Sequence, residues 1–471
     1  MVPLILHHLG TTTYGLYAAL TSVVGYFGLL TFGSSLTVPR YVAEHAARGE
    51  NDALGTFVST YLAAHLAVAL AGALAAFGLA PLLAQLLGVP ADIQPLVVPA
   101  FRLVAVGWAL GLTAGLYQSL LTGLGEVHLA NLANSARTLL NLAAVAAALL
   151  SGGGLTGLLV AQSVASLAGS VGVWLLVRSR HPEIPVSLGR ARVDTLRATG
   201  KSAGYYFLMQ VAALAVMGTD NIVIGAFVGI AAVAPYAVLF QLWAMTLAVL
   251  WSGADVLMPF YTRWQAQGDR AALTSSYLLA TKAVFAGSVL AAVIMAVFGI
   301  SLVRRWVGAS LVVDPRLPWV FAVMFLVGTP IHMAALLLAA LGRHRAPAIG
   351  GAIEAALNLT LSLILVRSLG VLGVALGTLG AGLLTNGWIA PGTACRELGI
   401  SVLDYLRHVI ARAVLPGAAA GISAMFIAAS VAPGSPAELA GIAAVVVGFG
   451  LLFWWLGLDA DERRTLTHRS A

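Results

Sequence analysis

The sequence predicts an all-α, polytopic membrane protein: two pseudo-symmetric six-helix lobes, the first helix largely missing, followed by two additional helices. Composition gives the first indication. The 471 residues are 60% hydrophobic and 9% charged, against about 25% charged in an ordinary soluble domain. No single water-soluble core can hide that much apolar surface, so the bilayer is the expected solvent. An internal repeat gives the second. The segment from Gly123 (GLGEVHLANLANSARTLLNLAAVAAALL) aligns without gaps on the segment from Ala340 (ALGRHRAPAIGGAIEAALNLTLSLILVR), at an offset of 217 residues. Leu124, Gly125, Leu140, Asn141 and Leu142 fall on Leu341, Gly342, Leu357, Asn358 and Leu359, while Arg137 falls on Glu354 with its sign inverted. A second echo, Tyr17 through Pro39 to Gly49 against Tyr236 through Pro259 to Gly268, has an offset of about 219. Periods this long exceed solenoid units and duplicate a whole helical lobe.

About 20 apolar residues are needed to cross about 30 Å of hydrocarbon. On that measure five spans fall in the first lobe: Tyr14 to Val38, Leu54 to Ala80, Leu96 to Leu121, Leu129 to Leu150 and Leu155 to Val177. Six follow in the second: Gly204 to Gly229, Ala232 to Phe260, Thr274 to Val303, Leu317 to Leu341, Pro347 to Val366 and Val371 to Thr393. The last two, Ala413 to Val431 and Ala437 to Leu458, have no copy in the first half. Residues 1–177 are therefore the N-terminal lobe, 178–203 a cytoplasmic linker, 204–393 the C-terminal lobe, and 394–471 two extra spans and a tail. The repeat places the partner of the helix at Gly204 before Tyr14, where only its end, MVPLILHHLG, is present. A start 15 to 25 residues earlier in the natural gene product, or a truncated copy, is the expectation.

The net charge of +7 does not call for nucleic acid. Of the 25 Lys and Arg, 18 lie in alternate loops and 4 in the opposite set, which assigns the Arg-rich side and the C-terminus to the cytoplasm. The linker from Arg178 holds Pro182, Pro185 and six basic residues, a pattern suited to anionic headgroups. Cys395 is the single cysteine, and neither paired Cys nor HExxH occurs, so no intrachain disulfide, zinc motif or cofactor is expected. Gly370 and Gly373 read as packing contacts. The longest outward loops, Pro81 to Pro95 and Arg304 to Pro318, carry little beyond Asp92 and Asp314, which argues against an enzyme of glycan assembly on the outer face.

Ionisable groups inside spans cost a few kcal/mol unless they face a partner or a wet cavity. Six occur: Arg102, Arg137, Asp220, Asp255, Lys282 and Glu354. Arg137 and Glu354 lie about 12 Å into their helices at 1.5 Å per residue, and Asp220 is similarly deep. Lys282 has a stem long enough to snorkel. Arg102 and Asp255 sit near opposite surfaces and suit interfacial anchoring. Two readings stay open, a structural ion pair such as Arg137 with Glu354 or Asp220, and a cavity in which Arg137, Lys282 and Arg102 attract phosphate. Asn134 and Asn141 share one helical face, able to meet sugar hydroxyls or to glue helices. Asp220, Glu354 and Asp255 are the candidate coupling or charge-partner groups.

The stretch LGTTTYGLYAALTSVVGYFGLLTFGSSLTVPRYVAEHAARGE resembles the opening of the polysaccharide transporter branch of the multidrug/oligosaccharidyl-lipid/polysaccharide flippase superfamily. TDNIVIGAFVGIAAVAPYAVLFQL from Thr219 and LGRHRAPAIGGAIEAALNLTLSLILVRSLGVLGVALGT from Leu341 continue the likeness over nearly the whole chain. The resemblance implies paired six-helix lobes in alternating access, in the inner membrane of a bacterial or archaeal cell. It implies a lipid-linked oligosaccharide substrate on polyprenyl pyrophosphate, as in O-antigen and lipopolysaccharide assembly, held at the phosphate by basic cavity residues. Arg137, Lys282 and Arg102 fit that role. Membrane lipids, a coupling proton or sodium ion, and glycan polymerase and chain-length proteins are the implied partners. A cation-coupled multidrug exporter and a lipid II flippase are the alternatives of the same superfamily; the missing first helix departs from the pattern.

Overall fold

The computed structural model describes residues 1–31, 34–87, 89–343 and 345–468. Its contacts divide the chain into two compact units, Met1–Ala234 and Pro235–Ala471. Among the described residues there is no strand, and twelve helices are long and apolar enough to cross a bilayer. A bent pair, Gln210–Val216 and Gly218–Phe227, makes a thirteenth. Each expected span thus has its counterpart, and the helical membrane fold follows from composition as read. Large apolar side chains such as Leu70, Leu74, Leu132 and Trp455 are more exposed than buried. In water such rows would be aggregation sites; against lipid tails they are solvated.

The first unit contains α1 (Val2–Gly25), α2 (Ser34–Ala47), α3 (Asn51–Leu86), α4 (Gln94–Gly123), α5 (Val127–Leu150), α6 (Gly154–Arg180) and α7 (Val193–Phe227). The first span differs from its expected limits of 14 and 38. It runs from Val2 through a 3-10 turn to Thr31, interrupted where Gly10 takes φ 77°, and α2 begins separately. Gly25 and Gly28, poor helix formers, explain the early end. A stripe of Gly107 and Gly111 lets α4 approach α6, where an added Cβ on Gly107 would meet Ser163 Oγ at 2.9 Å. Ser163 and Ser170 donate across this seam to Leu103 O and Leu110 O at 3.4 and 2.7 Å. Small residues and cross-helix hydrogen bonds replace the hydrophobic effect, which is silent between helices in lipid.

The expected boundary in the segment 178–203 is not where the units divide. Helix α7 belongs with the first unit, because Tyr26 donates to Leu214 O (3.1 Å), Gln210 to Gly28 O (3.3 Å) and Asn221 to Ser22 Oγ (3.0 Å). The linker itself folds back onto α3. The Ser187 and Arg192 amides donate to Ser59 Oγ and Thr60 Oγ1, both at 3.0 Å, and Pro185 covers Gly55. His181 closes the turn, 3.0 Å from both Glu126 and Glu183.

Burial alone would lower the His181 pKa, but the two carboxylates outweigh it and hold it above the ordinary imidazole value. A raised folded value stabilises fully below about pH 6.5, and the contribution is lost as pH rises through the folded value. We expect backbone hydrogen exchange over residues 181–192, corrected for intrinsic rate, to be slower at about pH 6 than at about pH 8.5. His181→Gln should remove that difference; an equal difference in the variant would discard the clamp.

The second unit contains α8 (Val233–Asp255, whose first two residues fall in the first unit), α9 (Met258–Gln267), α10 (Arg270–Val307) and α11 (Leu317–Ala340). It continues with α12 (Arg345–Leu369), α13 (Val371–Leu384), α14 (Asn386–Leu398), α15 (Val402–Tyr405), α16 (Ala411–Ser430), α17 (Pro436–Leu452) and α18 (Ala460–His468). Aromatic rings fill the gap between α8 and α11, with Tyr236, Phe240 and Trp243 against Phe321. The two additional spans, α16 and α17, and the helix that follows them are fastened to α10 at two places along its length. At one, Ser301 donates to Glu438 at 2.5 Å and Arg305 to Gly434 O and Ser435 O. At the other, Lys282 binds Glu462 of α18. Nineteen residues separate Lys282 from Ser301, about 28 Å of helix, close to the hydrocarbon thickness. Turn geometry carries the repeat as well: Gly49 and Gly268 have φ 69° and 71°, and Gly125 and Gly342 have 83° and 71°.

Candidate functional site

A cavity of about 460 Å³ opens inside the first unit between α1, α4, α5 and α6. Its lining carries one charged side chain, Arg137. The stem of Arg137 lies over Gly169 of α6, where even a methyl would come within 2.7 Å of it, so glycine makes room for the guanidinium to reach the wall. Arg137 forms no ion pair among the described residues; its polar contact is Asn134 Oδ1 at 3.4 Å, one turn earlier. One turn later Asn141 lines the same cavity, and its Oδ1 is buried without a hydrogen-bond donor. Opposite, Gln162 donates to Tyr17 Oη at 2.9 Å. Trp108, Ser163 and Ser166 complete a wall that is partly aromatic and partly hydroxylic. Such a lining offers one cationic fork for a phosphate or carboxylate and neutral donors and acceptors for hydroxyls.

Of the candidates named from sequence, the structure brings Arg137, Asn141 and Asn134 together on α5. The others are elsewhere. Arg102 is not in the cavity lining: it lies 5.1 Å above the Phe77 ring and donates to Phe77 O at 3.5 Å, an anchoring geometry. Lys282 is also outside it, 1% exposed and held by both Glu462 oxygens at 2.6 and 2.8 Å. Snorkelling is corrected by this contact, because the carboxylate comes to the buried amine. Asp220 is buried on α7 beside Tyr26. Glu354 packs beside Gly382 and Asn386. Asp255 meets His332 at 2.9 Å. Trp108, Tyr17, Ser163 and Ser166 were not singled out from the sequence. The regular spacing of Gly107, Gly111 and Gly115 on α4, all in the lining, is the signal that could have found this wall.

The sequence profile of the family described as polysaccharide biosynthesis protein matches residues 1–265. No curated protein matches the chain in sequence. Solved structures share the fold. One, an inward-facing multidrug resistance MATE family transporter of the MOP superfamily, superposes with a TM-score of 0.70 at 14% identity, covering 84% of this chain and 93% of that one. The lipid II flippase MurJ in an inward closed conformation gives 0.70 at 12% identity, covering 93% and 92%. A MOP superfamily transporter from Pyrococcus furiosus, described as having a binding pocket of reversed polarity, gives 0.57 at 15% identity, covering 83% and 88%. With its family profile spanning more than half of the sequence, the chain is a multi-pass membrane protein belonging to the polysaccharide biosynthesis protein family, built on the fold of MOP superfamily transporters.

Proposed function

We propose that this protein is a secondary transporter that moves a lipid-linked oligosaccharide, carried on polyprenyl pyrophosphate, from the inner to the outer leaflet for cell-surface polysaccharide assembly. The cell membrane is its site, with the C-terminus in the cytoplasm, and glycan polymerase and chain-length proteins are downstream partners. The observation that carries the reading is Arg137: a half-buried guanidinium with no carboxylate partner among the described residues, on the wall of a cavity with polar groups inside a unit made of apolar helices. A buried cation is costly in hydrocarbon, and a phosphate headgroup would relieve it while the prenyl tail stays in lipid. The amide of Asn141 and the Gln162–Tyr17 pair would then meet sugar hydroxyls. The family's name supports the polysaccharide class, and the MATE and MurJ likeness supports movement across a membrane without bond chemistry. A cationic wall disfavours the drug-exporter alternative, whose cationic cargo it would repel.

The test replaces Arg137 with Gln in cells whose surface glycan depends on this gene. Losing a charge-assisted contact of about 1.5–3 kcal/mol should cut outer-leaflet glycan by about tenfold or more, at unchanged protein abundance, with partial rescue by Lys. Retained export in Arg137→Gln would remove Arg137 from the site and the reading with it. Purified protein in vesicles, offered lipid II or an undecaprenyl-pyrophosphate oligosaccharide, separates the two lipid-linked cargoes.

A further inference from the structure

The first unit holds a second, smaller cavity of about 170 Å³, between the C-terminal ends of α4 and α6 and the segment that folds back onto α3. Three rings, those of Tyr117, Trp174 and His181, line it together with the side chain of Arg178, and Ile184 and Val186 close it from the segment. Sites for drug-sized ligands run to about 300–1,000 Å³, so only a small group fits. Arg178 forms no ion pair among the described residues, whereas Arg190 and Arg197 further along are taken by Asp52 and Asp194. Tyr117 Oη likewise has no hydrogen-bond partner among them. Both nitrogens of His181 are engaged, each 3.0 Å from a carboxylate, Glu126 or Glu183.

Charge and surroundings restrict what that group can be. Arg178 with Glu126 and Glu183 sums to −1 beside a neutral imidazole and to 0 beside an imidazolium. In neither state is there surplus positive charge for a plain anion, so a group carrying both signs is the better match. The cavity also stands at the end of an apolar row. Val160, Val164, Leu167, Val171 and Trp174 follow one another on α6 at steps of four and three residues, each between 43% and 60% exposed, and Arg178 comes one turn after Trp174. They share one helical face. From Val164 to Trp174 the row covers ten residues, about 15 Å of helix, which is half of the roughly 30 Å hydrocarbon layer, or one leaflet. A lipid chain lying on this row brings its headgroup to the cavity.

We propose that this cavity binds the headgroup of a zwitterionic phospholipid of the adjoining leaflet, one that carries a primary amine. The phosphodiester is held by the guanidinium fork of Arg178. The ammonium lies against the Tyr117 and Trp174 rings and donates to Tyr117 Oη, which a quaternary amine could not do. The Glu126 and Glu183 carboxylates, bound behind the imidazole, add attraction for the amine and oppose a second negative charge. This differs from the diffuse pull of a basic linker on anionic lipid, because the cation in use belongs to α6 and two of the linker's arginines are paired elsewhere. The bound lipid touches α4, α6 and the segment at Ile184 and Val186, and so ties the segment to the helices. The site stands independently of the transport reading.

The experiment titrates the delipidated full chain in detergent with dioleoyl phosphatidylethanolamine, phosphatidylcholine or phosphatidylglycerol, and counts bound lipid by native mass spectrometry. Phosphatidylethanolamine should bind tightest of the three. Arg178→Gln should weaken it by about tenfold or more, the loss of one charge-assisted contact, with partial rescue by Lys. Trp174→Ala, a change on an exposed face, should weaken it as well. Arg180→Gln, exposed and outside the lining, should leave it unchanged. In the wild-type protein, added phosphatidylethanolamine should also slow backbone hydrogen exchange over residues 181–192, and not in Arg178→Gln. Phosphatidylglycerol or phosphatidylcholine binding as tightly, or Arg178→Gln and Arg180→Gln behaving alike, overturns the site. Free phosphoethanolamine is the remaining arm: protection of residues 181–192 by it at the same concentration as the lipid would overturn a membrane source for the headgroup, and its failure to protect supports one.

Discussion

Glu462→Ala should destabilise the second unit by about 3–5 kcal/mol, the range for breaking a buried pair by removing one partner. The reason lies in an asymmetry of burial. The Lys282 side chain is 1% exposed and that of Glu462 22% exposed. Removing the carboxylate strands an ammonium that has no route to water, whereas removing the lysine leaves a carboxylate that can turn outward and still cap α18 through the Asp459 amide at 2.8 Å. Lys282→Met should therefore cost distinctly less than Glu462→Ala. The double variant Lys282→Met with Glu462→Leu should recover most of the loss, since a well-packed apolar pair often matches a buried ion pair. In detergent, Glu462→Ala should lower the apparent thermal midpoint by on the order of 10 °C. Equal losses for both single variants, or none for Glu462→Ala, would show that the pair does not hold α18 in place. Lost pairing would also release Asp459, now bound to Arg412 at 2.9 Å, and with it the end of the two additional spans.

The Lys282 pair also marks where sequence reading reaches its limit. Lys282 and Glu462 are 180 residues apart, and Glu462 lies in a stretch, ADERRTLTH, whose charge density reads only as a solvated tail. Apolar periodicity decides which segments cross the membrane; it is blind to which polar end meets which. The same blindness covers Asp255 with His332, 77 residues apart, and Arg102, whose partner is a ring and a carbonyl on α3 and not a charge. What periodicity and repetition do encode was legible. The thirteen apolar segments correspond to twelve helices and one bent pair, and the aligned glycines at 49 and 268 and at 125 and 342 share their backbone conformation, because a turn that needs positive φ restricts the residue type. On α5, the spacing read from the sequence is that of Asn134 and Asn141; Asn141 lines the cavity together with Arg137, one turn earlier, and Asn134 is the polar contact of Arg137. On the opposite wall the polarity of Gln162 suits a cavity lining on sequence alone, whereas Tyr17 and Trp108 look like ordinary packing residues until three helices converge. A related limit applies to the 178–203 segment: proline and charge read as a linker against headgroups, while the backbone amides of Ser187 and Arg192 bind side chains of α3.

Glycine in this fold has a second use that makes a large effect predictable at one place. Between α12 and α13, a Cβ added to Gly373 would lie 2.2 Å from Leu365 O and 2.4 Å from its carbonyl carbon, and one on Gly377 would lie 2.6 Å from Ser362 Oγ and 2.7 Å from its amide nitrogen. The obstacle at Gly373 is backbone, so no rotamer change can relieve it; the two helices must part. Gly373→Ala should cost about 3 kcal/mol, the upper part of the overpacking range, and Gly377→Ala somewhat less because a hydroxyl is among its obstacles. Gly421 on α16 is the control: it has nothing within 4 Å, and alanine there should be neutral or stabilising by about 0.4–1 kcal/mol through helix propensity and unfolded-chain entropy. Thermal denaturation of the three variants in one detergent gives the ranking directly, with Gly373→Ala lowest and Gly421→Ala at or above the wild type. If Gly373→Ala melts with the wild type, the close approach of α12 and α13 is not what holds this hairpin, and the pairing of Asn358 with Thr378 at 2.8 Å across the same seam would have to carry it. That hydrogen bond is worth about 0.6 kcal/mol by the average for membrane helices, too little for the task, which is why the glycine contact is the one expected to decide.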